Sequence, residues 1–539
     1  MIGEASLQQE IPKNKDQQII IVGGGPVGMG LAIELGQRGI SSCIIERRIG
    51  THRIPKGQNL MQRTLDHFYC WGIVDELRAA RVMPVDYPIG GITTYGNLMS
   101  EYWYKPQQRE AVKDYFFQAN ERLPQYCTED VLRNKISTMV NIENYQGWRV
   151  TDVSQDKRQA QVFLINEEDG ELRSLNAQYV VGCDGAHSVV RNSIGIQRSG
   201  SNFDQKMMLA VFRSKELHEG LKRFPEVSTY RAMFPESKGY WHFFGRIDVG
   251  EGWFFHAPVA LDATTENYDF KALIQKAAGF EFKCEFDYVG FWDLQVAVAE
   301  TYQSGRIFIA GDAAHSHPPY GGFGVNNGLE DARNLGWKLA AKLQGWGGEK
   351  LLASYSQERH PIFKETGEDF ITARIEREGK FFEAYNPEKD LNAFLDAWEK
   401  KRVGTSKMAT AYEPHYEGSS VIDGPPNGVN SAHGEHKLKA RIGHHLAPLS
   451  LSSGRNVFEE IGNDFCLIAL DGDDEIIKNM VEIADKMGIP FRVICDNQKD
   501  DREKFQARYI LVRPDHYIVW KGKSSPKNIE GLFSKAIGK

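Results

Sequence analysis

Apolar residues fall along this chain in distinct textures. Near the N-terminus they form short unbroken runs: Ile19, Ile20, Ile21 and Val22 stop at Gly23, and residues 40–45 follow after a stretch of helix formers. Runs that are apolar at every position and are stopped by glycine predict strands buried on both faces, as in a parallel sheet. Residues 307–310, stopping at Gly311, have the same character almost three hundred residues later. Residues 147–182 alternate with the period of half-buried strands. Between about 200 and 300 the texture becomes aromatic (240–244, 253–255, 289–298), which predicts a sheet of bulky side chains suited to walling a pocket for a flat apolar substrate. Helices are predicted over 64–80, over 122–139 with Gln125 and Glu129 on one face, and over 328–343, with a charged helical stretch reaching about 401. Residues 412–444 are turn-rich and read as a linker. Beyond 445, strands at 465–470, 491–495 and 518–520 alternate with helix-like segments, enough for a small α/β domain.

The first and last of the buried runs lead into glycine turns. After the first come Gly23, Gly24, Gly25, Pro26, Val27 and Gly28. Gly23 permits a tight turn, Gly25 lets the backbone approach a pyrophosphate, and Gly28 lets the next helix pack on the strand. That helix N-terminus offers unpaired N–H groups and a positive dipole to phosphates. Glu46 lies 18 residues beyond Gly28, at the end of the second run. It is placed to accept both hydroxyls of an adenine-side ribose, which suits FAD or NAD and disfavours the 2′-phosphate of NADPH. The last run continues through Gly311, Asp312, Ala313, Ala314 and His315, with an aspartate where a helix begins. One nucleotide held from both ends of a long chain is the pattern of a flavoprotein.

At 539 residues the chain exceeds one ordinary core, so two or three domains are expected. Lys and Arg number 65 against 72 Asp and Glu, a net charge of −7 with no basic block, which argues against nucleic acid as a partner. The seven cysteines are widely spaced without CxxC and read as reduced cytoplasmic thiols, with no metal-binding spacing. No apolar run is long enough to predict a membrane span.

Three blocks resemble the class A flavoprotein monooxygenases, the p-hydroxybenzoate hydroxylase-like family. They are residues 21–28; Gly182, Cys183, Asp184, Gly185, Ala186, His187, Ser188, Val189, Val190 and Arg191; and the segment from Gly305 through Asp312 and Pro318-Pro319 to Gly328, closing at 331–335. The tail resembles the C-terminal thioredoxin-like domain of the phenol hydroxylase and polyketide hydroxylase branch, through 462–470 and 512–515; without CxxC its implied role is structural. The resemblance implies an α/β FAD-binding domain (Rossmann-like, glutathione-reductase type) made of 18–95, 121–199 and 300–400. Interleaved with it is a β-sheet substrate domain of 96–120 and 200–299. A flexible arm (1–17), a linker (401–444) and a thioredoxin-like domain (445–539) complete the expected division.

By the same resemblance, FAD is bound by Gly23, Gly25, Pro26, Val27 and Gly28, and by Glu46 and Arg47 on the ribose side. Gln125 reaches the flavin side chain, Asp184 supports the cofactor, Asp312 lies by the ribityl and pyrophosphate, and Gly322, Gly324, Val325 and Asn326 approach the flavin ring. No second dinucleotide motif occurs, so NADH or NADPH is expected to dock, reduce the flavin and leave. The implied reaction hydroxylates a phenolic or related aromatic substrate with O2 through a flavin C4a-hydroperoxide; the family also admits a homodimer. Baeyer–Villiger-type or quinone oxygenation on the same scaffold, and a non-oxygenating flavin oxidoreductase, stay open as alternatives.

Phenol hydroxylase relatives carry an aspartate just ahead of the segment that here reads Arg63-Thr64-Leu65-Asp66, and Gln58 stands where that acid would fall. The group that favours the phenolate is therefore sought among His242, Arg246 and Arg231. His315, His317 and Tyr320 are lesser candidates, and Trp292, Phe243 and Tyr240 are candidate pocket lining.

Overall fold

The computed structural model describes residues 16–107 and 109–539. Strand Gln17–Val22 begins inside the arm expected over 1–17; the remainder of that arm, up to residue 15, lies outside the described residues. Ile19, Ile20 and Ile21 have no exposed surface, as their uninterrupted run requires. Five parallel strands lie side by side in the order Ile307–Ile309, Leu172–Gly182, Gln17–Val22, Ser42–Glu46 and Ile142–Gln146. The distant run at 307–309 is thus two strands from the first, so both glycine turns leave the same edge of one sheet. Helix Pro26–Gly36 and the long helix Gly324–Leu343 pack against each other through small residues. A side chain at Gly328 would meet Val27 Cγ2 at 2.5 Å, and one at Gly30 would meet Leu329 Cδ2 at 3.1 Å.

A second, eight-stranded sheet runs His315–Ser316, Glu285–Ala299, Arg198–Arg213, Gly252–Val259, His242–Arg246, Thr229–Met233, Gly91–Tyr95, Trp103–Tyr104. It extends past the expected boundaries: 91–95 and 315–316, both assigned by sequence to the dinucleotide-binding domain, pair here instead. Its outer face packs Phe212, Tyr230, Phe244, Trp253 and Phe255 onto Ile274 and Ala277 of helix Phe270–Ala278. Its inner face turns Leu209, Val211 and Phe254, with Phe243 and Trp292, toward Ile54 of the first domain.

The segment 96–120 divides. Trp103–Tyr104 forms the sheet edge, whereas Phe117 stacks on Phe458 at 5.5 Å in the C-terminal unit. Part of the segment 401–444 belongs to a buried core. Helix Thr405–Ala411 precedes paired strands Tyr412–Tyr416 and Asn430–His433, and Tyr416, Ile422 and Ala432 join Phe323 and Ile371 in one cluster. Its glycines serve close approach: a side chain at Gly418 would meet Gly428 O at 2.6 Å. Turn-rich composition therefore reports backbone contact here and not slack.

In the C-terminal unit, strands Phe491–Asp496, Phe465–Leu470, Tyr509–Val512 and Ile518–Gly522 lie in that order, the first pair parallel and the others antiparallel. Helices Asp474–Lys486 and Ile529–Ala536 accompany them. Trp337 and Ala341 of the long helix pack into this unit's core beside Phe465 and Leu467. Among the described residues no helix is long and apolar enough to cross a membrane.

The units are also joined by buried charge. Glu358 accepts from Lys338 Nζ at 2.7 Å, Arg513 Nη1 at 2.7 Å, Asn334 Nδ2 at 2.7 Å and Ser419 Oγ at 2.6 Å. Although burial opposes ionisation, Arg513 and Lys338 hold its carboxyl well below the usual range. Glu358→Ala would strand buried Lys338 and leave Arg513 with Asp515 alone, and is expected to cost about 3–5 kcal/mol, read as a lower denaturant midpoint. A midpoint within error of the parent would contradict this role.

Candidate functional site

The two glycine turns open on one cleft. A side chain at Gly23 (φ +108°) would collide with the Cys183 carbonyl, and one at Gly28 with the Gly23 carbonyl, so both are needed for packing. Gly25 differs: a side chain there would meet nothing within 4 Å. It precedes helix Pro26–Gly36, which has Pro26 in its first turn and no side-chain cap, leaving N–H groups unclaimed. This bare, electropositive cradle fits a pyrophosphate. Glu46 ends the second strand, accepting Gly24 N at 2.8 Å and Arg48 N at 2.9 Å. A carboxylate has about four acceptor positions, so capacity remains for ribose hydroxyls. Arg47 is exposed beside it.

Asp184 accepts Ser188 Oγ at 2.6 Å and Val190 N at 3.2 Å, which shapes the turn before helix Val189–Ser193; desolvation raises its carboxyl pKa. From that helix, Arg191 donates to Ala313 O at 2.8 Å and ties the middle block to the Gly311–Ala313 turn. Asp312 is exposed to the cleft, yet desolvation by the surrounding walls raises its carboxyl pKa against the opposing charges of His315, Lys56 and Arg198. His315 is structural: it pairs with Asp331 at 2.7 Å and stacks on Phe363 at 3.8 Å.

At the far end, Gly321 and Gly322 (φ +81° and +68°) turn the chain into the long helix, whose N-cap Phe323 supplies no side-chain cap. The first-turn N–H groups of Gly324, Val325 and Asn326 are free of intrahelical bonds. The Asn326 side chain is fully engaged: its Oδ1 accepts Met61 N at 2.7 Å and Thr64 Oγ1 at 2.6 Å, and its Nδ2 donates to Asn59 O and Gly322 O. Only its backbone is left for a ligand. Gln125 accepts Gly57 N at 2.9 Å and donates to Glu129 at 2.7 Å, which fixes the loop over the cleft. That loop carries Lys56, whose ammonium pKa is lowered by desolvation and Arg48 and supported by Glu129 and Asp312. Sequence reading passed over Lys56 because nothing local marks it.

The catalytic candidates separate by sheet face. His242 and Arg246 share the outer face, away from the cofactor cleft. His242 meets Phe234 at 5.0 Å, and desolvation pushes its pKa down to about 4. Arg246 is saturated by Val227 O, His218 and Tyr230, with Trp253 4.4 Å beneath it. A strand period of two makes this unavoidable: Phe243 faces the cleft, so 242, 244 and 246 cannot. By the same alternation His256 is on the inner face, 5.3 Å from both Phe254 and Trp292, with Nδ1 unpartnered. The run Trp253-Phe254-Phe255-His256 held that signal. Gln58 is buried at the cleft side, accepting from Arg122 at 2.8 Å and donating to Pro55 O at 3.2 Å. Arg122 lies 5.8 Å from the Phe254 ring, its pKa pushed down to about 9 by desolvation and by Arg81 and Arg246.

A family model described as "FAD binding domain" matches residues 16–368. The chain is 27% identical to the FAD-dependent monooxygenase apdD of Emericella nidulans, covering 96% of this chain and 90% of that one. It is also 27% identical to the 4-methyl-5-nitrocatechol 5-monooxygenase of a Burkholderia species, covering 98% of each. Among solved structures, the rebeccamycin biosynthetic enzyme RebC with reduced flavin superposes with a TM-score of 0.84 at 25% identity, over 97% of this chain and 99% of that one.

Gly25→Ala tests the cradle without disturbing the fold, since its added methyl meets only the space a pyrophosphate would use. We expect an unchanged unfolding midpoint for the flavin-free protein and FAD affinity lower by about tenfold, ~1.4 kcal/mol. Equal FAD retention would refute the placement. A pH prediction follows from four imidazoles (His67, His242, His256, His317), each pushed down to about 4, chiefly by desolvation. The unfolded chain protonates them near 6.5 while the folded one does not, so stability falls as pH drops from about 6.5 toward 4. A flat thermal midpoint across that window would contradict their buried, neutral state.

Proposed function

Because the chain belongs to the FAD-binding domain family and is an FAD-dependent monooxygenase, we propose that it hydroxylates a phenolic or related aromatic compound. The observation that carries this reading is the meeting of the glycine turn at 321–322, the uncapped helix at 324–326 and the aromatic inner face of the second sheet around one cleft. FAD, when bound, takes a hydride from NADH or NADPH and activates O2. The chain's residues would hold it: the cradle at Gly25 and Glu46 would receive the pyrophosphate and ribose, Asp312 the linking portion, and the long helix N-terminus would stabilise negative charge on the reduced ring.

Phe243, Phe254, Trp292 and Leu209 exclude water and align the substrate ring. His256, neutral because desolvation pushes its pKa down to about 4, presents an unpartnered nitrogen to a substrate hydroxyl. Gln58, oriented by Arg122, replaces the missing acid as a hydrogen-bonding group. We further read the C-terminal unit as thioredoxin-like. Its strand order, with one parallel and two antiparallel pairings, supports this. Its role is structural: Cys466 is buried with its thiol pushed up to about 12, and both Cys466 and Cys495 are free.

The deciding experiment follows NAD(P)H use and product mass in isotopically labelled dioxygen against a panel of phenols, hydroxypyridines and quinones. One labelled oxygen in a new hydroxyl supports the proposal; labelled oxygen within a ring would move the assignment to Baeyer–Villiger insertion. His256→Phe is expected to lower the substrate-stimulated rate by roughly ten- to a hundred-fold, ~1.4–2.7 kcal/mol, with FAD content unchanged. An undiminished rate would remove His256 from the pocket.

A further inference from the structure

The spacing of the cysteines predicts no metal site, but the histidines gather where the cysteines do not. Five of the fifteen fall between residues 415 and 445. His415 and Glu417 are two apart along strand Tyr412–Tyr416 and its continuation, so the strand period of two puts both, with Glu413, on one face. Backbone contacts bring His444 to that face. Tyr416 N donates to Gly443 O at 2.7 Å, and Gly443 (φ +82°) fits only without a side chain, which would meet Glu417 N at 2.6 Å. The C-terminal unit holds the same turn from the other side: Gly443 N donates to Ile518 O at 2.8 Å, and Ile518 N to His444 O at 2.9 Å. One ring nitrogen of each histidine and one Glu417 oxygen lie within 4.8 Å of one another.

The hydrogen bonding of this cluster does not close without a further cation. His444 Nδ1 is 3.2 Å from Glu413 Oε1 and His444 Nε2 is 3.0 Å from Glu417 Oε1, so carboxylates stand at both nitrogens of a histidine only 3% exposed. A neutral imidazole carries one N–H, and the other contact needs either a second proton or a metal ion. His415 favours the metal. It is 7% exposed, its Nε2 donates to His433 O at 3.1 Å, and its Nδ1 has no hydrogen-bond partner among the described residues. A second proton on His444 would leave that buried lone pair facing nothing. An ion between the three residues would take it together with His444 Nε2 and the Glu417 carboxylate. The other nitrogen of each ring already has an acceptor, Glu413 for His444 and the His433 carbonyl for His415, the arrangement that orients metal-bound histidines. Arg441 pairs with Glu413 and lies 3.4 Å from His444 Nε2, too far for a strong hold on it. It balances Glu413 and leaves Glu417 to supply the charge of the ligand set.

We propose that His415, Glu417 and His444 form a site for a divalent transition-metal ion of the zinc class, which clips the 412–444 segment to the C-terminal unit. Two imidazoles and a carboxylate suit zinc, whereas magnesium and calcium take oxygen ligands. The His444 Nε2–Glu417 Oε1 separation of 3.0 Å is close to the distance of about 3.3 Å between neighbouring ligands on tetrahedral zinc. The two rings stack at 4.5 Å, so an arriving ion must tilt them apart, and His415, held by one ring hydrogen bond, is the freer of the two. Glu417, with 30% of its side chain exposed, opens the site to solvent for ion entry and for a water ligand. The role is structural and independent of the substrate reading above. The strand that supplies His415 rests on the long helix, where Asn327 Nδ2 donates to Tyr412 Oη at 3.1 Å, and the turn that supplies His444 rests on strand Ile518–Gly522.

The test uses the full FAD-loaded protein, freed of metal with EDTA and then titrated with Zn2+ against a chromophoric chelator. We expect one ion per chain, no displacement by excess Mg2+, and a higher unfolding midpoint with zinc than without it, since the ion binds the folded chain. His415→Ala and Glu417→Gln should each weaken zinc binding by at least about tenfold and remove the zinc-dependent rise in midpoint, with FAD content unchanged. Glu417→Gln keeps the size of a half-exposed side chain, so it reports on binding even where His415→Ala fails to fold. His433→Ala alters an exposed histidine beside the site while keeping the backbone carbonyl that His415 uses, and should bind zinc as the parent does. The proposal is overturned if zinc binds no more tightly than magnesium, if Glu417→Gln binds it as the parent does, if His433→Ala loses it, or if zinc leaves the parent's midpoint unmoved.

Discussion

One buried helix, Gly324–Leu343, carries the charges on which the rest of the molecule is assembled. Every residue from Asn326 to Ala341 is buried, polar and charged ones included. Glu330 holds Arg63 and His67 of the first domain, and Asp331 holds the turn at Gly311, His315 and Arg359. Arg333 reaches Glu34 on the first helix and the Pro514 carbonyl in the C-terminal unit, while Lys338 joins Glu358 and, through it, Arg513. Ion pairs this dry roughly break even against apolar packing, so their contribution is specificity of arrangement more than net stability. Each pair can form in one geometry, and together those geometries set three units against one helix.

The same helix ends at the chemistry. Its N-terminal turn is where we propose the flavin ring sits, and its fourth turn is where the C-terminal unit docks through Trp337. The cofactor cleft is therefore built on a rigid rod, with the nucleotide cradle at Gly25 brought beside it by the close contact of Val27 with Gly311 and Gly328. Rigid placement of dipoles and N–H groups before the ligand arrives is what makes such a site effective, because no reorganisation is needed when charge develops.

Polar groups on the walls of the cleft are among those left incomplete. Among the described residues, Lys56 leans on Asp312 and Glu129 without a hydrogen bond to either, and His256 has an unpartnered nitrogen. Groups left this way beside the cleft are where a ligand would complete the structure.

The two glycine turns were legible in the linear sequence because each requirement there is local. Gly23, Gly25, Gly28 and Glu46 act through spacing along one strand-turn-helix unit, and Gly311 and Asp312 through another, so runs and turns suffice to find them. Fold class was legible for the same reason, since buried strands, aromatic strands and helices differ in period. What the linear pattern could not decide was which face of a strand meets the cleft. His242 and His256 look alike in their aromatic surroundings, and only the pairing of strand His242–Arg246 with Gly252–Val259 sends one outward and the other inward. Nor could it decide that 412–433 is core, or that Glu358 would find Arg513. Chemistry written into neighbouring residues survives in the sequence; chemistry made by residues hundreds of positions apart exists only once sheet register and helix packing have chosen which side chains share a dry space.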